Sequence, residues 1–169
     1  MWCDRNPVWN NLEAAFRRRF HVSEFVIEEE VNCHPWQVAR LRRFADRILE
    51  RYDDGEETLL IGHSMGGVTA CAIANRFRKS RVRGVVSIFA PHRLLGGLFA
   101  RSLQVPREMR VPVITFETQR DRLVWWGAKH PQSVVHTVLA TNHLDDLVND
   151  HRHAKKIAEE ARKALCPEG

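Results

Sequence analysis

Apolar residues along the chain alternate between a helical and an extended spacing. Behind Asn6-Pro7, a cap and first-turn signal, Val8, Leu12, Ala15, Phe16 and Phe20 share one helix face. Phe25-Val26-Ile27, with Val31 beyond, predicts a strand that ends in the acidic run Glu28-Glu29-Glu30. A second helix starts at Pro35, carries Val38, Leu41, Phe44, Ala45, Ile48 and Tyr52 on one side, and stops at Asp53-Asp54-Gly55. Thr58-Leu59-Leu60-Ile61 is short, apolar after its first residue and bounded by turn residues, the mark of a strand buried on both faces.

A third helix runs from about Met65 to Arg78, with Val68, Ala72, Ile73 and Phe77 inward. Val85 to Phe89, Val111 to Phe116 and Val134 to Leu139 read as three further strands. A last helix covers about Asp150 to Leu165 and aligns Ala154, Ile157, Ala158, Ala161 and Leu165. Strands alternating with helices imply parallel pairing through right-handed crossovers. The expected fold is therefore α/β: a three-layer α/β/α sandwich around a mostly parallel sheet of about five strands. No repeat or linker divides residues 1–169, so they read as one domain, with a short helix or flap at about 94–105.

Composition changes this picture little. A chain of 169 residues buries roughly two-thirds of its unfolded surface, enough to fold without disulfide or metal. The four cysteines, Cys3, Cys33, Cys71 and Cys166, are widely spaced and form no CxxC pair, which favours free thiols over a zinc site or a disulfide framework. No apolar run approaches the ~20 residues of a membrane span, and Met1 to Asn11 lacks the pattern of a secretory signal, so a cytoplasmic location is expected. The net charge is +5, with basic clusters at Arg17-Arg18-Arg19, Arg40/Arg42/Arg43 and Arg76 to Arg83. Each falls on or beside an amphipathic helix and reads as a solvated face. No aromatic platform or finger motif accompanies them, so no nucleic-acid partner is expected.

Candidate chemistry is concentrated at Gly62-His63-Ser64-Met65-Gly66-Gly67. A G-x-S-x-G string alone is modest evidence, arising by chance in about one chain in twenty of this length. Here the serine lies directly after a buried strand and directly before a helix, the context in which the motif carries meaning. A strand turning that sharply into a helix crowds its flanking side chains, and Gly62 and Gly66 are expected to remove them. The serine oxygen would stand at the carboxyl edge of the sheet, with the Met65 N–H and the helix dipole facing any oxyanion formed there.

Gly62 to Gly67 after Leu59-Leu60-Ile61 resembles the serine-bearing turn of the α/β-hydrolase superfamily, in which serine, acid and histidine follow one another along the chain. The resemblance runs from about residue 7 to 165 in element order. It implies Ser64 as nucleophile, Asp121 in the loop after Val111 to Phe116 as the acid, with Glu117 as the alternative, and His143 after the last strand as the base. His92, His130, His136, His151 and His153 read as surface or loop residues, and His63 as a packed neighbour of the serine. Leu95 and Trp125 would line an apolar acyl pocket. No metal or organic cofactor is implied, and the substrate would be a small-molecule ester or other acyl compound.

One departure from the family stands out. Family members carry a strand upstream of the first helix, between the strands corresponding to Phe25–Val31 and Thr58–Ile61, and its exit loop supplies a second oxyanion N–H. Met1-Trp2-Cys3-Asp4-Arg5 shows neither that strand nor a His-Gly pair. Backbone N–H groups near Trp2 and Cys3 are the remaining candidates for that donor. Either upstream residues are missing, or the flanking strands pair directly, or a second copy or partner chain completes the sheet. Three functions stay open: a carboxylic ester hydrolase working through an acyl-serine, a non-catalytic copy of the fold that binds a partner, and an acyltransferase using the same triad.

Overall fold

Four apolar runs pair into one parallel sheet: β1 (Glu57–His63), β2 (Arg81–Ile88), β3 (Val113–Thr118) and β4 (Ser133–Leu139), in the order β1-β2-β3-β4. The computed structural model describes residues 7–20, 24–28, 38–92, 105–106, 108–119, 127–140 and 150–166. Gly62 sits opposite Ser87, Ile88 opposite Phe116, and Phe116 opposite Thr137, so the carboxyl ends of the strands line up along one edge. Parallel strands need crossovers, and helices accordingly cover both faces: α1 (Pro7–Phe20), α2 (Val38–Tyr52), α3 (Met65–Ala74) and α4 (His151–Leu165).

The two faces are packed differently. On one, α1 and α4 press Leu12, Phe16, Ile157 and a stripe of alanines against Val86, Ile88, Ile114 and Phe116. Ala154, Ala158 and Ala161 are fully buried, and their small side chains let α4 lie close to both the sheet and α1. On the other face, α2 and α3 bury Ala45, Cys71 and Ile73 against Leu60, Val85 and Val113. This side also carries polar groups, Ser87 and Thr115, under the helices.

A carboxylate ties the amino-terminal ends of the strands together. Asp53, just past α2, accepts backbone N–H bonds from Arg78 (2.9 Å), Lys79 (2.7 Å) and Ser80 (2.7 Å). The Ser80 hydroxyl donates to the Tyr52 carbonyl (3.0 Å) and accepts the Gly55 N–H (3.1 Å). Together these bonds lock the entries of β1 and β2 to the end of α2.

The elements differ from the sequence reading at several places, and β2 already starts at Arg81 rather than Val85. The described residues 24–28 form no strand, so the described sheet has four strands rather than about five. The Glu28 carboxylate instead accepts from the Tyr52 hydroxyl (2.6 Å) and from Arg51 (3.0 Å), which holds this segment against α2 by side chains. Direct pairing of the Phe25 segment with β1 is thereby excluded among the described residues. The third helix stops at Ala74 rather than Arg78, because Asn75 turns its side chain to the Glu108 carbonyl and the Arg110 N–H. β2 ends at Ile88, where Phe89 adopts φ 51, and β3 starts at Val113, just past Pro112, which has no N–H to give a ladder. The flap expected at 94–105 lies outside the described residues apart from residue 105.

The Asp53 contacts generate a prediction with a defined sign. The Ser80 N–H does most to hold its carboxyl below the usual carboxylate value; partial burial opposes it, and the Arg78 and Lys79 N–H groups lower it further. A depressed folded pKa contributes stability above the unfolded value of ~3.9, and loses it as pH falls through the folded value. Asp53→Asn should lower Tm at pH 7, with the gap to the parent protein closing below pH ~4, as followed by circular dichroism across a pH series.

Candidate active site

β1 passes into α3 in a single residue. Ser64 joins them with φ 53 and ψ −128, a conformation that costs a non-glycine residue about 1–3 kcal/mol. Its backbone is pinned on both sides: the Ser64 N–H donates to the Ile88 carbonyl (2.9 Å), and the Gly67 N–H donates to the Ser64 carbonyl (3.0 Å). Ser64 occupies the N-cap of α3, where a serine side chain ordinarily bonds the helix's first N–H groups, yet its hydroxyl makes no capping bond. The half-buried hydroxyl is thus left out of the helix's own hydrogen bonding. Met65 is the first helical residue, so its N–H has no acceptor within α3 and faces the same end.

Phe89, at the corresponding exit from β2, also has positive φ, 51. Ser64 and Phe89 are the non-glycine residues with positive φ among the described residues, and they end neighbouring strands. The Phe89 N–H donates to the Phe116 carbonyl (2.9 Å), and its ring meets His63 edge-on at 6.1 Å. His63 therefore packs beside the turn, as expected of it.

The glycines divide their work differently from the expectation. A Cβ on Gly62 would collide with the Gly66 carbonyl oxygen and backbone, so β1 can meet the first turn of α3 only without one. A Cβ on Gly67 would overlap Ser87 Oγ and lie 2.6 Å from Ala90 Cβ. A Cβ on Gly66 would meet nothing within 4 Å. Gly66 contributes its carbonyl, not its lack of a side chain, to the tight turn, and Gly67 takes the steric role assigned to Gly66.

Asp121, His143, Trp2, Leu95 and Trp125 lie outside the described residues. Glu117, the alternative acid, is engaged elsewhere: its carboxylate lies 3.3 Å from His136 Nε2 and accepts the Ala128 N–H at 3.3 Å. His136 also meets the Thr115 hydroxyl at 2.9 Å, so it is a half-buried strand residue rather than a surface or loop one. His92 and His130 are loop residues as expected, but neither is on the surface, at 9% and 6% exposure. The chain doubles back after β2 and carries His92 under α3, where Nε2 lies 2.7 Å from Ser87 Oγ. Burial, and then the neighbouring His130, push the His92 pKa down to about 3.

A cavity of about 670 Å³ runs along the outer edge of β1, among Phe16, Phe25, Phe44, Tyr52, Leu59 and Ile61, and reaches His63 and Gly66. It lies between β1 and the Phe25 segment. No helix among the described residues is long and apolar enough to cross a membrane.

The glycine geometry sets an order of tolerance. Gly66→Ala should leave Tm unchanged or raise stability by about 0.4–1 kcal/mol, since alanine fits a helical turn and restricts the unfolded chain. Gly67→Ala should cost about 1–3 kcal/mol through overlap with Ser87 and Ala90. Gly62→Ala should be the most damaging, because backbone cannot move aside. Thermal denaturation of the three variants tests the order.

Comparison with known proteins adds the family. The sequence matches the α/β hydrolase fold family over residues 20–157. Comparison with curated proteins returned no match. Among solved structures, a monoacylglycerol lipase of Paleococcus ferrophilus is similar at 15% identity, over 72% of this chain and 75% of the lipase, with a TM-score of 0.45. VinJ is similar at 14% identity, over 77% of this chain and 73% of VinJ, with a TM-score of 0.47. With a parallel sheet, helices on both faces and a family match across most of its length, the chain belongs to the α/β hydrolase fold family.

Proposed function

We propose that the protein is a serine hydrolase that cleaves a carboxylic ester through an acyl-enzyme formed on Ser64. The observation that carries this reading is the backbone of Ser64 at φ 53 and ψ −128, with a hydroxyl that takes no part in capping the helix it begins. A strained residue persists only where its surroundings hold it, and such residues cluster where strain serves function. Here the strain holds an oxygen at the end of a strand and beside a helix N-terminus.

In this reading Ser64 Oγ attacks the acyl carbon while His143 takes its proton, and Asp121 orients the imidazole. The carbonyl oxygen gathers negative charge beside the Met65 N–H and the positive end of α3. His143 returns the proton to the leaving alcohol, and water then cleaves the acyl-serine by the same route in reverse. Asp121 is preferred to Glu117 because the Glu117 carboxylate is already engaged by His136 and the Ala128 N–H. The second oxyanion donor is assigned to the backbone near Trp2, and a single such donor is worth about 10²–10³ in rate.

A fluorophosphonate probe should label the folded protein at Ser64, and Ser64→Ala should abolish labelling. His143→Ala and Asp121→Asn should each lower kcat/KM on short-chain esters by ~10⁴ or more, while Glu117→Gln retains labelling. Absence of labelling in folded protein would sink the reading. It would favour a second one, a non-catalytic partner-binding fold, which the open cavity beside β1 supports.

A further inference from the structure

The turn at Ser64 leaves one group of reactive side chains without a role. Cys71 lies in α3, His92 four residues beyond β2 and His130 three residues before β4. They come together beneath α3 at 0%, 9% and 6% exposure, with one donor atom from each lying within 4.8 Å of the other two. The two imidazoles meet edge to face, with centroids 5.0 Å apart.

Their hydrogen bonding is incomplete. His92 uses Nε2 with Ser87 Oγ (2.7 Å), and His130 uses Nδ1 to accept the Gln132 N–H (3.1 Å). Among the described residues, the second nitrogen of each ring and the Cys71 thiol have no hydrogen-bond partner. Buried polar atoms are nearly always satisfied, so a buried thiol and two buried imidazoles with donor atoms this close together ask for an occupant.

We propose that Cys71, His92 and His130 form a buried zinc site that pins α3 to the segments flanking β2 and β4. One thiol and two imidazoles suit zinc, and the group offers no carboxylate or carbonyl oxygen for calcium or magnesium. If His92 donates its Nε2–H to Ser87 Oγ, its Nδ1 lone pair is left for the metal, the outer hydrogen bond usual for a ligating histidine. The Gln132 N–H is released from His130, and water can replace that bond because Gln132 is exposed. Binding forms one Zn–S and two Zn–N bonds, and the Cys71 thiol proton leaves for solvent. Zinc bond lengths imply donor separations of ~3.3–3.8 Å, so the three side chains close inward by up to about 1 Å. A small exogenous ligand completes the tetrahedron. Cys71 lies seven residues beyond Ser64 along α3, so the site is separate from the Ser64 hydroxyl.

Cobalt(II) reports the site directly. The full chain refolded with one equivalent of cobalt under reducing conditions should show a thiolate-to-cobalt charge-transfer band and four-coordinate visible bands, both displaced by zinc. Zinc should raise Tm by several degrees. Cys71→Ala, a small-for-small change, should abolish the charge-transfer band while keeping native far-ultraviolet circular dichroism, and Cys166→Ser should retain it. His92→Ala should weaken binding by ~10-fold or more. A natively folded parent protein with no cobalt band, or a band that survives Cys71→Ala, overturns the proposal. Fluorophosphonate labelling of Ser64 is expected with and without metal, so failure of either proposal leaves the other intact.

Discussion

The close approach of β1 to the first turn of α3 is the constraint on which the rest depends. Gly62 lies against the Gly66 backbone with no room for a Cβ, and the turn between them is a single residue, Ser64. The Ser64 N–H can then reach the Ile88 carbonyl, which ties the turn to the end of β2. From this follow the strain at Ser64, the direction of α3 down across the sheet, and the exposure of the helix N-terminus at the sheet's carboxyl edge. Asp53 does a matching job at the opposite edge, holding the strand entries through three N–H bonds.

The faces of the sheet divide stability from chemistry. The α1/α4 face is dry: Phe16, Ile88, Ile114, Phe116 and Ile157 are all buried at or below 1% exposure. Burial of such side chains is worth about 1.5–3 kcal/mol each, and this face supplies much of the fold's driving force. The α3 face holds Ser87, His92, Thr115, His130 and His136 in a polar layer. Gly67 makes this layer compatible with α3, since its missing side chain leaves room for Ser87 Oγ. The carboxylate–histidine–threonine chain of Glu117, His136 and Thr115 lies on the same side and staples β3 to β4.

The edge of the sheet is less complete than its centre. β1 pairs with β2 alone among the described residues, and its outer side borders an aromatic cavity. Tyr52 and Arg51 hold the Phe25 segment against α2 through Glu28.

Local periodicity was enough to place α1, α2, α4 and the four strands, because each buries one stripe or a short run and the pattern repeats within a few residues. The strand–serine–helix context of Ser64 was legible for the same reason: all of its parts lie within Thr58 to Val68. Contacts between distant segments were not. Glu28 to Tyr52, Asn75 to Arg110 and Ser87 to Gly67 reset element ends and reassigned the glycines, and no window of sequence contains both partners. Cys71, His92 and His130 are separated by 21 and 38 residues and carry no metal-spacing signature. Only the parallel sheet brings α3, the exit of β2 and the entry of β4 onto one face. The sequence alone determined which apolar stripes face inward and where the serine turns; the tertiary structure decided which polar and distant side chains join them inside, because convergence depends on crossover paths that no local pattern records.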